Sequence, residues 1–173
     1  MSGTYELFVL QQRPLRADRG LWTAHDTMLA NGAELNDECV YILDLGDEVE
    51  DADPEPVTDA GETLTAIASA PGLGLIQYDF EGVFVDTTYL TAVRDGTMDG
   101  VVLSIGQLTF ERQGAAFAAK VLGLGRALHE ALGGVRTIMD WGLTDRGFDW
   151  REELARVRTG QHTGSYTLLD LAR

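Results

Sequence analysis

The chain has a single cysteine, three histidines and no long apolar run, and each shortage excludes a class of protein. Cys39 has no second cysteine with which to form an intrachain disulfide, so we expect a reducing compartment and a buried, inert thiol. No window approaches the ~20 apolar residues of a membrane span. The N-terminus also lacks the basic and apolar regions of a secretory signal. We therefore expect a cytoplasmic protein that does not bind membranes.

Basic residues are scarce in the first part of the chain. Residues 1–100 hold 20 acidic and 4 basic side chains, whereas residues 101–173 hold 8 acidic and 9 basic ones, so the net charge of −15 arises almost wholly in the first part. Such a charge repels nucleic acid and anionic lipid, and it attracts a basic protein or a cationic ligand. The same surplus is also consistent with solubility alone or with adaptation to a salty cytoplasm. The single lysine (Lys120) fits that adaptation and equally fits a compositional bias toward arginine.

Standard catalytic and cofactor motifs are absent. Gly123 and Gly125 lie inside a predicted helix, not in the strand-to-helix turn that a dinucleotide requires. The only lysine follows Ala119, which excludes a Gly-Lys-Ser/Thr phosphate loop, and Val102 replaces the leading glycine of a nucleophile elbow at Ser104. The scattered histidines and lone cysteine do not supply a zinc site. We predict no catalytic residue, no metal and no cofactor.

The clearest structural pattern spans residues 100–141. A strand (Val101–Phe110), an amphipathic helix (about Gly114–Leu132), a stop at Gly133 and Gly134, and a second strand (Val135–Trp141) follow one another. Because short joints connect these elements, we predict a βαβ crossover with parallel strands and the helix on one face of the sheet.

The rest of the chain favours antiparallel strands. Further strands are predicted at Thr4–Leu10, Glu38–Leu45, Leu73–Phe80 and Val83–Val93, the last two forming a hairpin around Glu81 and Gly82. Capping boxes predict helix starts at Asp59 and Asp149, a short helix is predicted for residues 22–30, and residues 161–173 are ambiguous between an edge strand and a helix. We expect one α+β domain over residues 1–173, with a mixed, mainly antiparallel sheet of about five or six strands and helices mainly on one face.

An acidic loop is predicted at residues 46–59. Seven acids and two prolines occupy the thirteen residues from Asp47 to Asp59, which favours an exposed, extended segment. Pro54 and a missing glycine exclude an EF-hand calcium loop. Our leading hypothesis is a non-enzymatic binding module, of the inhibitor or immunity type, that docks a basic partner protein. The predicted partner-binding residues are Asp47, Glu48, Glu50, Asp51, Asp53 and Glu55.

The alternative hypothesis is a small-molecule-binding domain or an enzyme. Asp140 and Trp141 end the second strand of the predicted crossover, Arg146 lies in the turn that follows, and the carboxyl ends of parallel strands often build ligand sites. A concave pocket of roughly 300 Å³ or more at that strand end, holding convergent polar groups, would favour this alternative, whereas a filled sheet edge with an exposed acidic ridge would favour the binding module.

A second candidate group of carboxylates surrounds the predicted hairpin. Asp79, Glu81 and Asp86 could form an acid/base pair, although the outward face of an antiparallel sheet predicts the same residues without any function. The sequence specifies neither the partner nor the oligomeric state.

Overall fold

The computed structural model describes residues 3–81, 88–95, 97–161 and 164–173, with the backbone alone at positions 17 and 18. Within these residues, seven strands form one sheet: β1 (Thr4–Leu15), β2 (Ala33–Ile42), β3 (Gly74–Phe80), β4 (Thr88–Asp95), β5 (Thr97–Gly106), β6 (Gly134–Trp141) and β7 (Leu169–Ala172). Five helices accompany these strands in the described part of the chain: α1 (Ala17–Ala30), α2 (Ala60–Ser69), α3 (Gln107–Arg112), α4 (Gly114–Ala131) and α5 (Trp150–Arg158). The predicted α+β class is confirmed, with seven strands in place of five or six.

The strand order is β2-β3-β4-β5-β1-β6-β7, and every pairing between these strands is antiparallel. The predicted β-strand, helix, β-strand crossover is present, but its two strands are not neighbours in the sheet. Strand β1 lies between β5 and β6 and is antiparallel to both, so β5 and β6 run parallel without touching. The sheet is therefore antiparallel throughout instead of mixed, because the N-terminal strand inserts into the crossover.

Helices α1, α2, α3 and α4 cover one face of the sheet, which we call the helical face. Their apolar stripes, such as Phe117, Val121, Leu124 and Leu128 of α4, enter the main core with Leu7 of β1. On the opposite face α5 is the one helix in the described ranges that packs against the sheet, and its Leu154 joins a smaller core. Helices thus lie mainly on one face, as predicted.

Capping explains several element boundaries. Asp59 accepts a hydrogen bond from the Glu62 backbone N–H (2.9 Å) and opens α2, and Asp149 accepts from the backbone of Arg151 (2.8 Å) and opens α5. Both predicted helix starts are confirmed. The ambiguous C-terminus forms the short edge strand β7.

Two predicted boundaries were wrong at the N-terminal end. Strand β1 continues past the predicted end at Leu10, through a register shift, to Leu15. Helix α1 begins at Ala17, before the predicted start at Trp22. Among the residues described, no helix is long and apolar enough to cross a membrane.

Candidate functional site

Twelve acidic side chains lie along one side of the sheet, on the edge strand β2, on the segment that follows it and on the first turn of α2. We call them the acidic edge: Glu34, Asp37, Glu38, Asp44, Asp47, Glu48, Glu50, Asp51, Asp53, Glu55, Asp59 and Glu62. All twelve are exposed, and they include the six predicted partner-binding residues. The sequence has no basic residue between His25 and Arg94. The acidic edge therefore carries no positive charge of its own.

The acidic loop is held against the sheet. Val40 and Glu55 exchange two backbone hydrogen bonds (3.2 and 2.7 Å), and the Val57 N–H donates to the Asp37 carbonyl (2.7 Å). Val57 also packs against the main core, and a short 3₁₀ turn forms at residues 49–51. The loop covers part of the free edge of β2, which protects that strand from pairing with another chain. Its carboxylates are consequently presented from an anchored backbone.

Ion pairs within the described residues lie elsewhere in the molecule. The carboxylates that they use are Asp95, Asp99, Asp140, Glu152, Glu153 and Asp170. Arg94 instead donates to the carbonyls of Ala68, Ala70 and Gly72 (3.3 Å for the last) at the end of α2. Across the part of the chain that the structure describes, no salt bridge neutralises the acidic edge.

A groove of about 660 Å³ opens beside the acidic edge on the face opposite the four helices. We call it the sheet groove. Phe8, Val93 and Val102 form a buried apolar floor, and Trp150 of α5 lies on one wall. Leu45, which directly precedes the acidic loop, is 81% exposed at the rim. Thr91, Arg94 and Asp95 add polar groups to the lining. An exposed leucine beside a concavity with an apolar floor is a typical element of a protein-binding surface.

The structure does not bring Asp140 and Trp141 into one concavity. Adjacent residues of a strand point to opposite faces, and Trp141 lies against the backbone of Gly3. Asp140 is engaged internally, since it accepts a hydrogen bond from the Thr167 hydroxyl (3.1 Å) and lies 3.7 Å from Arg146. Because β6 has antiparallel neighbours, its end is also not the shared carboxyl edge that makes parallel sheets favourable for ligands.

A pocket of about 290 Å³ does lie next to Arg146, between α5 and the turn that precedes it. Arg156 and Tyr166 line it together with Glu153, which is 1% exposed. Glu153 is already committed, because it accepts a hydrogen bond from Nε of the fully buried Arg136 (2.7 Å). Arg136 also pairs with Asp170 of β7. This cluster joins α5 and β7 to β6, and it accounts for the polar floor of the pocket.

The hairpin carboxylates form no acid/base pair within the described residues. Half-buried Asp79 accepts hydrogen bonds from the side-chain amides of Asn36 (3.0 Å) and Gln77 (3.3 Å), and Glu81 is exposed. Strands β3 and β4 pair as predicted, but Asp86, in the segment between them, lies outside the described residues.

Two of the histidines are buried and hydrogen-bonded. His25 Nδ1 lies 2.7 Å from the Tyr78 hydroxyl, and His129 Nδ1 lies 2.8 Å from the Thr137 hydroxyl. Burial lowers the pKa of both imidazoles and raises the pKa of the Tyr78 phenol, so all three groups are held neutral near pH 7. The hydroxyls of Tyr78 and Thr137 are themselves fully buried, so both pairs lie in the interior and not on an open surface.

Cys39 is half-buried, whereas we expected a buried thiol from the sequence. Its sulfur lies 4.0 Å from the Tyr89 hydroxyl. It projects from β2 onto the face that α5 covers only in part, which the local apolar run does not reveal. No group of three histidine, cysteine or acidic residues in the described ranges could hold a metal ion.

The acidic loop was predicted from the sequence, but the rest of the acidic edge and the sheet groove were not. Glu34, Asp37 and Glu38 join the acidic edge because β2 begins at Ala33, before the predicted start. The exposure of Leu45 depends on tertiary packing, although its position directly before the predicted acidic loop already indicated that it could be exposed. In comparisons with known proteins, no family model, curated protein or solved structure matches this chain.

Proposed function

We propose that this protein is a non-enzymatic binding module whose acidic edge docks a basic partner protein. The observation that carries the proposal is the absence of salt bridges to twelve exposed carboxylates on one side of the described structure. Carboxylates serving only internal stability gain most when arginines accompany them, as in the other half of the sheet. Here the opposite charge must come from solvent ions or from a partner.

The acidic edge acts mainly on the rate of encounter. Clustered like charges orient an oppositely charged protein before contact and raise its association rate, most strongly at low salt. Solvated carboxylates contribute little affinity each, because water screens exposed ion pairs. The affinity arises from apolar burial in the adjoining sheet groove, where Leu45 and Leu73 are exposed and the floor is apolar. The encounter takes place in the cytoplasm, where the lone thiol stays reduced.

The loop is anchored by backbone hydrogen bonds, which supports the same proposal. A mobile acidic tail would lose conformational entropy on binding, whereas a loop pinned at Val40 and Asp37 has already lost much of that freedom. Docking then requires little rearrangement of residues 55–57.

Two variants with equal changes in net charge test the proposal. The first replaces loop acids with amides (Glu48→Gln, Glu50→Gln, Asp51→Asn), and the second replaces exposed acids far along the chain (Glu111→Gln, Glu130→Gln, Asp145→Asn). The probe is a synthetic peptide in which arginine alternates with glycine, and the measurement is the association rate by stopped flow. At about 20 mM salt we expect a reduction of about tenfold for the first variant and less than about twofold for the second.

Salt provides the control, because the difference between the variants should vanish at about 500 mM salt if it is electrostatic. Equal slowing by both variants would contradict the proposal, since net charge alone would then account for the rates. Unfolding of the native chain when salt is lowered would instead favour adaptation to a salty cytoplasm.

The alternative, a small-molecule site near Asp140, Trp141 and Arg146, gains one supporting observation. The pocket beside Arg146 is close to the expected size. Neither Asp140 nor Trp141 is among the described residues that line it, and its buried carboxylate, Glu153, already pairs with Arg136. We therefore favour docking of a basic protein.

A further inference from the structure

A second groove, on the outer side of helices α1 and α2, carries an exposed tryptophan. Trp22 of α1 is 39% exposed, and its six-membered ring lies over the first turn of α2. A Cβ at Gly61 would come within 2.9 Å of ring atom Cζ2, so the glycine permits the close approach. The concavity measures about 590 Å³, and we call it the Trp22 groove.

Contacts on the side facing the core fix the position of the Trp22 indole. Its ring meets the imidazole of His25 edge-on at a centroid distance of 5.7 Å, and His25 is in turn hydrogen-bonded to the buried Tyr78. A tryptophan fixed between two helices loses little side-chain entropy when a ligand binds. Large aromatics at such positions are the usual anchors of protein interfaces.

The walls of the groove combine an aromatic surface with negative charge. Asp59 and Glu62, both exposed members of the acidic edge, line it together with Trp22, while Ala66 contributes a small apolar side chain. Asp26 is exposed one turn after Trp22 on α1. An aromatic face beside carboxylates suits a planar cation, because the guanidinium group can stack on the ring while its N–H groups reach the carboxylates.

We propose that the Trp22 groove receives an arginine side chain of the basic partner, with the guanidinium stacked on the indole and directed toward Glu62 and Asp59. This inference rests on the proposed function and specifies which basic side chain is recognised. Lysine fits less well, because its ammonium group is a compact, strongly hydrated charge that cannot stack.

The test compares two peptides of equal length and charge, in which arginine or lysine alternates with glycine. Their affinities are measured by isothermal titration calorimetry at about 20 mM salt. We expect the native chain to prefer the arginine peptide by about fivefold. The Trp22→Leu variant should lose that preference and still bind both peptides through the acidic edge.

Trp141 offers a matched control, since it is 42% exposed at the end of β6 and does not line the groove. Trp141→Leu should leave the preference unchanged. Gly61→Ala, which would displace the indole without removing it, should weaken the preference, and circular dichroism should show that each variant remains folded.

The outcomes separate this inference from the proposed function. Binding of both peptides with no preference for arginine, or equal effects of Trp22→Leu and Trp141→Leu, would overturn the inference and leave docking at the acidic edge intact. Failure of both peptides to bind at low salt would overturn the proposed function and the inference together.

Discussion

The buried cluster at Arg136 yields a sharp prediction about stability. Arg136 is fully buried and Glu153 is 1% exposed, so removing the glutamate leaves a guanidinium in the interior with part of its charge uncompensated. Breaking a buried ion pair from one side costs about 3–5 kcal/mol. Because Asp170 still pairs with Nη1 of Arg136, we expect the lower end, about 3 kcal/mol, for Glu153→Ala.

The neighbouring residue supplies the control. Glu152 lies one position earlier on α5 and pairs with Arg156 at 3.4 Å, but both side chains are about half exposed or more. An exposed pair of this spacing contributes only about 0.3–0.5 kcal/mol. Glu152→Ala should therefore change the free energy of unfolding by less than a quarter of the amount that Glu153→Ala does.

Urea unfolding, followed by circular dichroism and tryptophan fluorescence, measures both variants. A loss of about 3 kcal/mol corresponds to a lower melting temperature by about 6–12 °C for a chain of this size. Glu153→Gln should recover part of the loss, because the amide oxygen still accepts from Nε of Arg136. If Glu152→Ala and Glu153→Ala agreed within about 0.5 kcal/mol, the structural role of the buried ion pair would be refuted.

Two further predictions concern polar side chains that hydrogen-bond a helix to the sheet: His25 of α1, which contacts Tyr78 of β3, and Arg94 of β4, which contacts the end of α2. Burial lowers the pKa of His25 in the folded chain below its unfolded value of about 6.5. Below that pH the unfolded chain binds more protons than the folded chain does. The contribution of neutral His25 to the free energy of unfolding is therefore complete above about pH 6.5 and is lost as the pH decreases. His25→Gln should therefore show a smaller acid-dependent loss in urea titrations at several pH values, and an unchanged slope would contradict this role of the imidazole. Arg94→Ala should reduce the free energy of unfolding by about 1–3 kcal/mol, because the carbonyls of Ala68, Ala70 and Gly72 lose their donor. The control is Arg126→Ala, since Arg126 is exposed on α4, and equal effects of the two substitutions would argue against the carbonyl contacts.

Local sequence signals predicted the elements that local physics determines. The stripe of α4 follows from helical periodicity, and the starts of α2 and α5 follow from the capping side chains Asp59 and Asp149. The insertion of β1 between β5 and β6 joins residues about a hundred positions apart, as in the pairing of Tyr5 with Ile105. No pattern within a short window contains that pairing, so the order of strands could not be read from the sequence.

The proposed binding surface also has one part that local sequence determines and two parts that tertiary packing determines. Exposure of the acidic loop follows from like charges and prolines, and the sequence was sufficient to predict it. The sheet groove depends on which strands leave one face uncovered, and the Trp22 groove depends on the packing of α1 against α2. Trp22 was expected to lie on a short helix, but nothing near it in sequence indicates the glycine at position 61 on which its ring lies.

Strand order also explains why the charge is concentrated rather than spread. Strands β2, β3 and β4 occupy one end of the sheet and come from the arginine-poor part of the chain, whereas β6 and β7 lie at the other end, where Arg136 pairs with Asp170. The molecule consequently has an acidic end and an ion-paired end. The basic partner that we propose would experience a directional field from this arrangement, and the direction depends on where the carboxylates lie, not on how many there are. For this reason moving three amide substitutions from the loop to distant positions is a stronger test of docking than changing the net charge.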